Sequence, residues 1–160
     1  MCWLAARRGP KPVTQPPGLG KDRPTGLSWA AGSPPLNPSP FHILLVEDEP
    51  VIQELVCSLL GDERVEVICA GNGVEGLKLA RSRPFDLILL DVVLPLMDGI
   101  SVCRLLKSDA TTARIPLYML TGTTKRSDVE SATRAGADGY IHKPFRGAEL
   151  MAVIDRLRAG

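Results

Sequence analysis

From residue 41 onward the sequence predicts a doubly wound α/β domain, and three observations carry that reading. Apolar runs alternate with helical patterns five times, an order that fits such a domain rather than a repeat array. Turn signals, Asp98-Gly99 and Gly136-Ala137-Asp138-Gly139, stand where strands and helices must exchange. Acidic residues close two of the apolar runs, at the strand ends where open α/β sheets bind ligands.

The first strand is expected at 42–46, where His42-Ile43-Leu44-Leu45-Val46 runs straight into Glu47-Asp48-Glu49. Val51, Ile52, Leu55, Val56, Leu59 and Leu60 then recur at helical spacing, so the first helix is expected to bury one face. A second strand, 65–69, alternates through Val65-Glu66-Val67 and reads as an edge. The third, 86–90, is continuously apolar through Leu87-Ile88-Leu89-Leu90, reads as central, and is closed by Asp91. A fourth at 116–120 leads into Thr121-Gly122, and Pro84 and Pro116 sit at strand entries, where a missing amide hydrogen costs little. The helix near 126–135 offers only Val129, Ala132 and Ala135 as an apolar face, which makes it the most weakly held element and a candidate for movement. After a fifth strand at 138–142, the last helix repeats an apolar stripe with Leu150, Val153, Ile154 and Leu157.

Residues 1–40 differ in kind. They hold nine of the fourteen prolines, five glycines and a single acid, Asp22, and read as a disordered extension that cannot bury enough apolar surface to offset its ordering entropy. Pro10, Pro12, Pro16 and Pro17 would break the helix of a transit peptide, and there is neither the apolar core of a secretory signal nor a run as long as a membrane span. The extension has five of the 19 basic residues and one of the 18 acids, leaving 14 and 17 for residues 41–160, a net charge of −3. That balance argues against nucleic-acid binding by the folded part. Cys2, Cys57, Cys69 and Cys103 show neither CxxC nor ligand spacing; they read as reduced, the last three packed in the core, as in a cytoplasmic protein.

Parallel pairing would bring Glu47, Asp48, Asp91, Thr121 and Lys143 to one crevice at the carboxyl ends of four strands. Singly, each has a plainer explanation: Asp48 or Glu49 could start the first helix, Thr121 could cap the next, and Lys143 could be a surface charge. Five at equivalent ends are much harder to attribute to capping. Two carboxylates about 4 Å apart repel by roughly 4 kcal/mol at an effective dielectric of 20, so the cluster calls for a cation or a proton. Histidine ligands would point to zinc, but the only two, His42 and His142, read as solvated or packed. An open set of carboxylates suits Mg²⁺, which keeps several of its waters.

These residues resemble a family. Glu47-Asp48-Glu49 after an apolar strand, Asp91 followed by Leu94-Pro95-Leu96-Met97-Asp98-Gly99, Thr121, and Gly136 through Phe145 with its Tyr140-Ile141-His142-Lys143-Pro144-Phe145 run resemble the receiver domain of bacterial two-component response regulators, over about 41–158. The resemblance implies a flavodoxin-like (βα)5 fold with strand order 2-1-3-4-5. It implies Asp91 as the phosphoacceptor, and Mg²⁺ held by Glu47, Asp48, Asp91 and the backbone carbonyl of Val93. Thr121 matches the switch hydroxyl, Lys143 the lysine that contacts the phosphoryl oxygens, and Tyr140 the switch aromatic; a cis Lys143-Pro144 bond is usual there. The implied donor is a sensor histidine kinase or histidine phosphotransfer protein, and the implied output a downstream protein target, with no direct nucleic-acid or membrane contact. By the same resemblance the chain is a signalling switch rather than an enzyme, stand-alone or a fragment, and a monomer or weak dimer. Glu47 replaces the commoner Asp of the acidic pair. Gly139 stands where many transcription-factor receivers carry an acid of their dimer face, and Val93 and Thr123 would flank a hydrolytic water.

Two rival readings compete. An aspartyl-nucleophile phosphatase usually carries an acid two positions after its nucleophile, where this sequence has Val93. Gly71-Asn72-Gly73-Val74-Glu75-Gly76 matches the GxGxxG of dinucleotide-binding domains, with Asp91 twenty residues beyond Gly71, but leaves Glu47-Asp48, Thr121 and Lys143-Pro144 unexplained.

Overall fold

Among the described residues five strands and five helices alternate: β1 (Phe41–Val46), α1 (Pro50–Leu60), β2 (Val65–Ala70), α2 (Gly73–Ser82), β3 (Leu87–Asp91), α3 (Gly99–Ser108), β4 (Leu117–Thr121), α4 (Arg126–Arg134), β5 (Gly139–His142) and α5 (Gly147–Ala159). The computed structural model describes residues 39–61, 64–122 and 126–160. The extension expected over 1–40 therefore lies outside the described residues except for Ser39 and Pro40, as does Thr123. Among the described residues no helix is long and apolar enough to cross a membrane.

The strands form one parallel sheet in the order β2-β1-β3-β4-β5, as the doubly wound reading requires. Period-two alternation sends side chains to two faces. Ile43, Leu45, Leu87, Leu89 and Leu120 meet α1 and α5 through Val56, Leu60, Leu150, Val153 and Ile154. Leu44, Val46, Ile88, Leu90, Leu117 and Met119 meet α2, α3 and α4 on the other face. Each such leucine or isoleucine contributes roughly 1.5–3 kcal/mol by burial. The continuous apolar run of β3 is buried throughout, and β2 lies at an edge.

Three expectations shift. β3 and β4 each begin and end one residue later than expected, so Asp91 and Thr121 are themselves the last residues of their strands. α1 buries less than its pattern suggested: Val56 and Leu60 are enclosed, while Val51, Leu55 and Leu59 stay 73%, 42% and 39% exposed. The apolar arc of α1 is wider than the strip that the sheet and α5 can cover. Of the three core cysteines only Cys103 is fully buried, and Cys57 and Cys69 are half-buried.

Candidate phosphoacceptor site

The register sets the carboxyl ends of the central strands level: Val46 lies beside Leu90, Asp91 beside Leu120, and Thr121 beside His142. Chain that leaves these ends carries its first side chains into a common crevice. Glu47 continues the ladder by one bond, its amide donating to the Ala70 carbonyl at 3.0 Å, and Gln53 Nε2 of α1 donates to the Glu47 carbonyl at 2.6 Å. Its side chain is fully buried, and Oε1 accepts the Glu49 amide at 3.2 Å. Glu49 is the N-cap residue of α1, yet its side chain makes no capping bond there. The capping explanation therefore fails for Glu49.

Asp91 is almost enclosed at the end of β3. Its Oδ1 accepts the Val93 amide at 3.1 Å, which fixes the carboxylate's rotation. Lys143 joins the two strands' acids: its Nζ lies 2.7 Å from Asp91 Oδ2 and 2.6 Å from Glu47 Oε2. The lysine is held in place by its own backbone, since its amide donates to the Thr121 carbonyl at 2.7 Å, and Lys143-Pro144 is cis. Burial pushes the Glu47 carboxyl above its ordinary value; the Lys143 hydrogen bond opposes this and the Asp91 charge adds to it. Burial alone would lower the Lys143 ammonium, but the hydrogen bonds it donates to Asp91 and Glu47 outweigh this and hold the group above its ordinary value.

Asp48 is exposed at the mouth, and one oxygen from each of Glu47, Asp48 and Asp91 falls within 4.8 Å of the others. Among the described residues these three carboxylates face the Lys143 ammonium, and an all-oxygen donor set fits a hard divalent cation such as Mg²⁺. Val93, whose carbonyl the resemblance adds to this set, is 76% exposed. No carboxylate occupies its position, which withholds the second acid an aspartyl phosphatase would use.

Thr121 is buried at the end of β4, next to His142 in the ladder. Tyr140 pairs with Met119 in the ladder and packs on the α2–α4 side. Its hydroxyl donates to the Val129 carbonyl at 2.8 Å and is hydrogen-bonded to Thr133 Oγ1, both on α4. The helix singled out as weakly held is thus tied to Tyr140 of β5, besides burying Ala132 on the sheet.

Some residues that build the site carried no legible signal beyond turn chemistry. A Cβ on Gly99 would stand 1.9 Å from the Asp91 carbonyl oxygen, so only glycine lets α3 begin against the end of β3. Its amide donates to the Val92 carbonyl at 2.9 Å, and Asp98 caps α3 through the Ser101 amide. Leu96 takes φ 68 in a tight turn closed by Met97 N to Pro95 O at 2.8 Å, an uncommon conformation for a leucine.

The Gly71–Gly76 loop serves packing and capping. Gly73 and Gly76 admit Val102 and Val46, whose methyl carbons a Cβ would meet at 2.5 and 2.8 Å. Asn72 caps α2 through the Glu75 amide, and the Glu75 carboxylate accepts the Gly71 amide at 2.8 Å, placing negative charge where a pyrophosphate would need donors. β1 also lies between this loop's strand and Asp91, unlike the adjacent placement a dinucleotide site requires.

Comparison with known proteins agrees with this geometry. The family model of the response regulator receiver domain matches residues 43–155. The chain belongs to the receiver-domain family. Among curated proteins, this receiver is 41% identical over 118 residues to the DNA-binding response regulator MtrA of Mycolicibacterium smegmatis, covering 73% of this chain and 50% of that protein. It is 40% identical over 113 residues to the transcriptional regulatory protein CseB of Streptomyces coelicolor, covering 71% and 47%. The chain thus spans about half the length of these relatives. Among solved structures, the receiver domain of a Pseudomonas aeruginosa sensor histidine kinase, with magnesium coordinated in its active-site cleft, superposes with a TM-score of 0.71 at 32% identity, covering 76% of this chain and 100% of that one. The chemotaxis response regulator CheY4 of Vibrio cholerae gives 0.69 at 29% identity, covering 74% and 99%.

Proposed function

We propose that this receiver is a phosphorylation-dependent switch in which Asp91 takes a phosphoryl group from the phosphohistidine of a sensor histidine kinase or histidine phosphotransfer protein. The observation that carries this reading is the bridge of Lys143 Nζ between Asp91 Oδ2 and Glu47 Oε2, at 2.7 and 2.6 Å, inside a cluster of three carboxylates. An Asp91 oxygen forms the new bond to phosphorus as the bond to the donor's imidazole nitrogen breaks. Such transfer is mostly positioning and charge stabilisation. The Val93 amide orients the nucleophile, Lys143 is placed to meet phosphoryl oxygens, and the buried Thr121 hydroxyl is one strand away. Glu47, Asp48, Asp91 and the Val93 carbonyl would hold Mg²⁺, which when bound offsets the repulsion between phosphoryl and carboxylate oxygens.

The output follows from charge placed on Asp91. Thr121 is drawn toward the phosphoryl group, Tyr140 turns inward and leaves its partners on α4, and the thinly packed helix resets. The face of α4, β5 and α5 then meets a protein partner. In this reading the receiver is a cytoplasmic switch that catalyses only its own phosphoryl uptake and slow hydrolysis, and it makes no direct contact with nucleic acid; DNA binding is a property of relatives about twice the matched length.

The test uses acetyl phosphate with magnesium salt. One phosphoryl group per chain, labile to hydroxylamine and lost on chelation, is expected on the parent. Equal labelling of Asp91→Asn would overturn the assignment, and steady turnover of phosphate esters would make the chain a phosphatase instead.

A further inference from the structure

The thiols of Cys57 on α1 and Cys69 on β2 lie with their sulfurs 3.8 Å apart, and neither is in a disulfide. Two sulfurs in van der Waals contact need only side-chain rotation and a small approach of helix to strand to reach a bond of about 2.05 Å. Both residues are half-buried, less enclosed than the buried Cys103. Cys103 contrasts with the pair: it is buried, its Sγ lies 3.7 Å from the Ala135 carbonyl oxygen, and burial pushes its thiol up to about 11. A thiol held in that form is a poor nucleophile.

We propose that Cys57 and Cys69 are a reversible modification site that closes to an intramolecular disulfide in the presence of a hydroperoxide. One sulfur attacks the peroxide's terminal oxygen, breaking the O–O bond to give a sulfenic acid and, for hydrogen peroxide, one water. The second sulfur then displaces the sulfenic hydroxyl as a second water, forming the S–S bond, so the two thiols are oxidised by two electrons and the peroxide is reduced by two. The bond would staple α1 to an edge strand that pairs with β1 alone. The staple brackets Glu47, whose amide is held by Ala70, the neighbour of Cys69, and whose carbonyl is held by Gln53, one helical turn before Cys57. Oxidation therefore stiffens the frame of the acidic cluster without consuming any of its groups.

The full chain, treated with excess hydrogen peroxide and digested without reductant, should yield a peptide pair joined through Cys57 and Cys69. Its intact mass should fall by two hydrogens, and dithiothreitol should restore it. Closing a ring of this size should raise the melting temperature by about 5 °C or more. Cys57→Ser and Cys69→Ser should each remove link and shift, while Cys103→Ser should keep both. Sulfinic acid on either sulfur without a link, a bond to Cys2 or to a second chain, or an unchanged thiol count would overturn the proposal, and a link with no rise in melting temperature would overturn the staple. Should a serine variant fail to fold, the peptide map of the unsubstituted chain decides alone.

Discussion

β1 carries a charge cluster at each end, and the two have opposite physics. At its amino end His42 lies 3.1 Å from Glu66 and 3.7 Å from Asp86, and Arg83 lies 3.6 Å from Glu66. Those acids are about half exposed, with side-chain accessibilities of 48% and 49%. At its carboxyl end Glu47 is fully buried and Lys143, with its side chain 17% exposed, is held between it and Asp91. Water screens the first cluster, so its pairs contribute little; exposed ion pairs are typically worth roughly 0–1 kcal/mol. The second cluster has exchanged water for its own partners, and losing one leaves a buried charge uncompensated. Charge placed at a strand's end becomes chemistry only where the sheet also removes the solvent.

The largest expected effect is at the buried end. Lys143→Met should lower unfolding free energy by about 3 kcal/mol in magnesium-free buffer at neutral pH, the scale for breaking one side of a buried pair. Urea denaturation measures it, and a loss below about 0.5 kcal/mol would place this cluster with the exposed one.

A pH series sharpens the same contrast. The Lys143 ammonium is held above its ordinary 10.5, so the stability it contributes is complete below pH 10.5 and is lost as pH rises through the raised value. Glu47, raised above 4.5, contributes stability that is complete below pH 4.5 and lost as it ionises through its own raised value. Denaturation midpoints of the parent should therefore fall more steeply on the alkaline side than those of Lys143→Met. Parallel curves would show that the lysine's hydrogen bonds do not shift its titration.

The smallest effect is expected at the other end of the strand. Glu66→Gln removes the acid shared by His42 and Arg83, yet should change stability by no more than about 0.5 kcal/mol, a change that added salt further diminishes. A larger loss would mean that the amino-end cluster is held more tightly than its exposure implies.

Much of this molecule is determined by local sequence. Five alternations of apolar run and helical pattern specify the layers, and the continuous Leu87–Leu90 run can be satisfied only by burial on both faces, which makes β3 central. Placing Glu47, Asp91, Thr121 and Lys143 at strand ends needs no more than the rule that parallel strands share a direction. Tertiary structure decided the rest. Three-dimensional packing alone determines that Lys143 bridges two acids rather than projecting into solvent, because that depends on the register of β5 against β4 and on the bond from its amide to Thr121. Gly99 reads in the sequence as turn chemistry, but its necessity comes from the carbonyl of Asp91 that a Cβ would strike. The apolar stripe on α1 was legible while its burial was not: periodicity records which residues could be covered, and only the width of the sheet and the reach of α5 determine that Val56 and Leu60 are covered and Val51 and Leu55 are not.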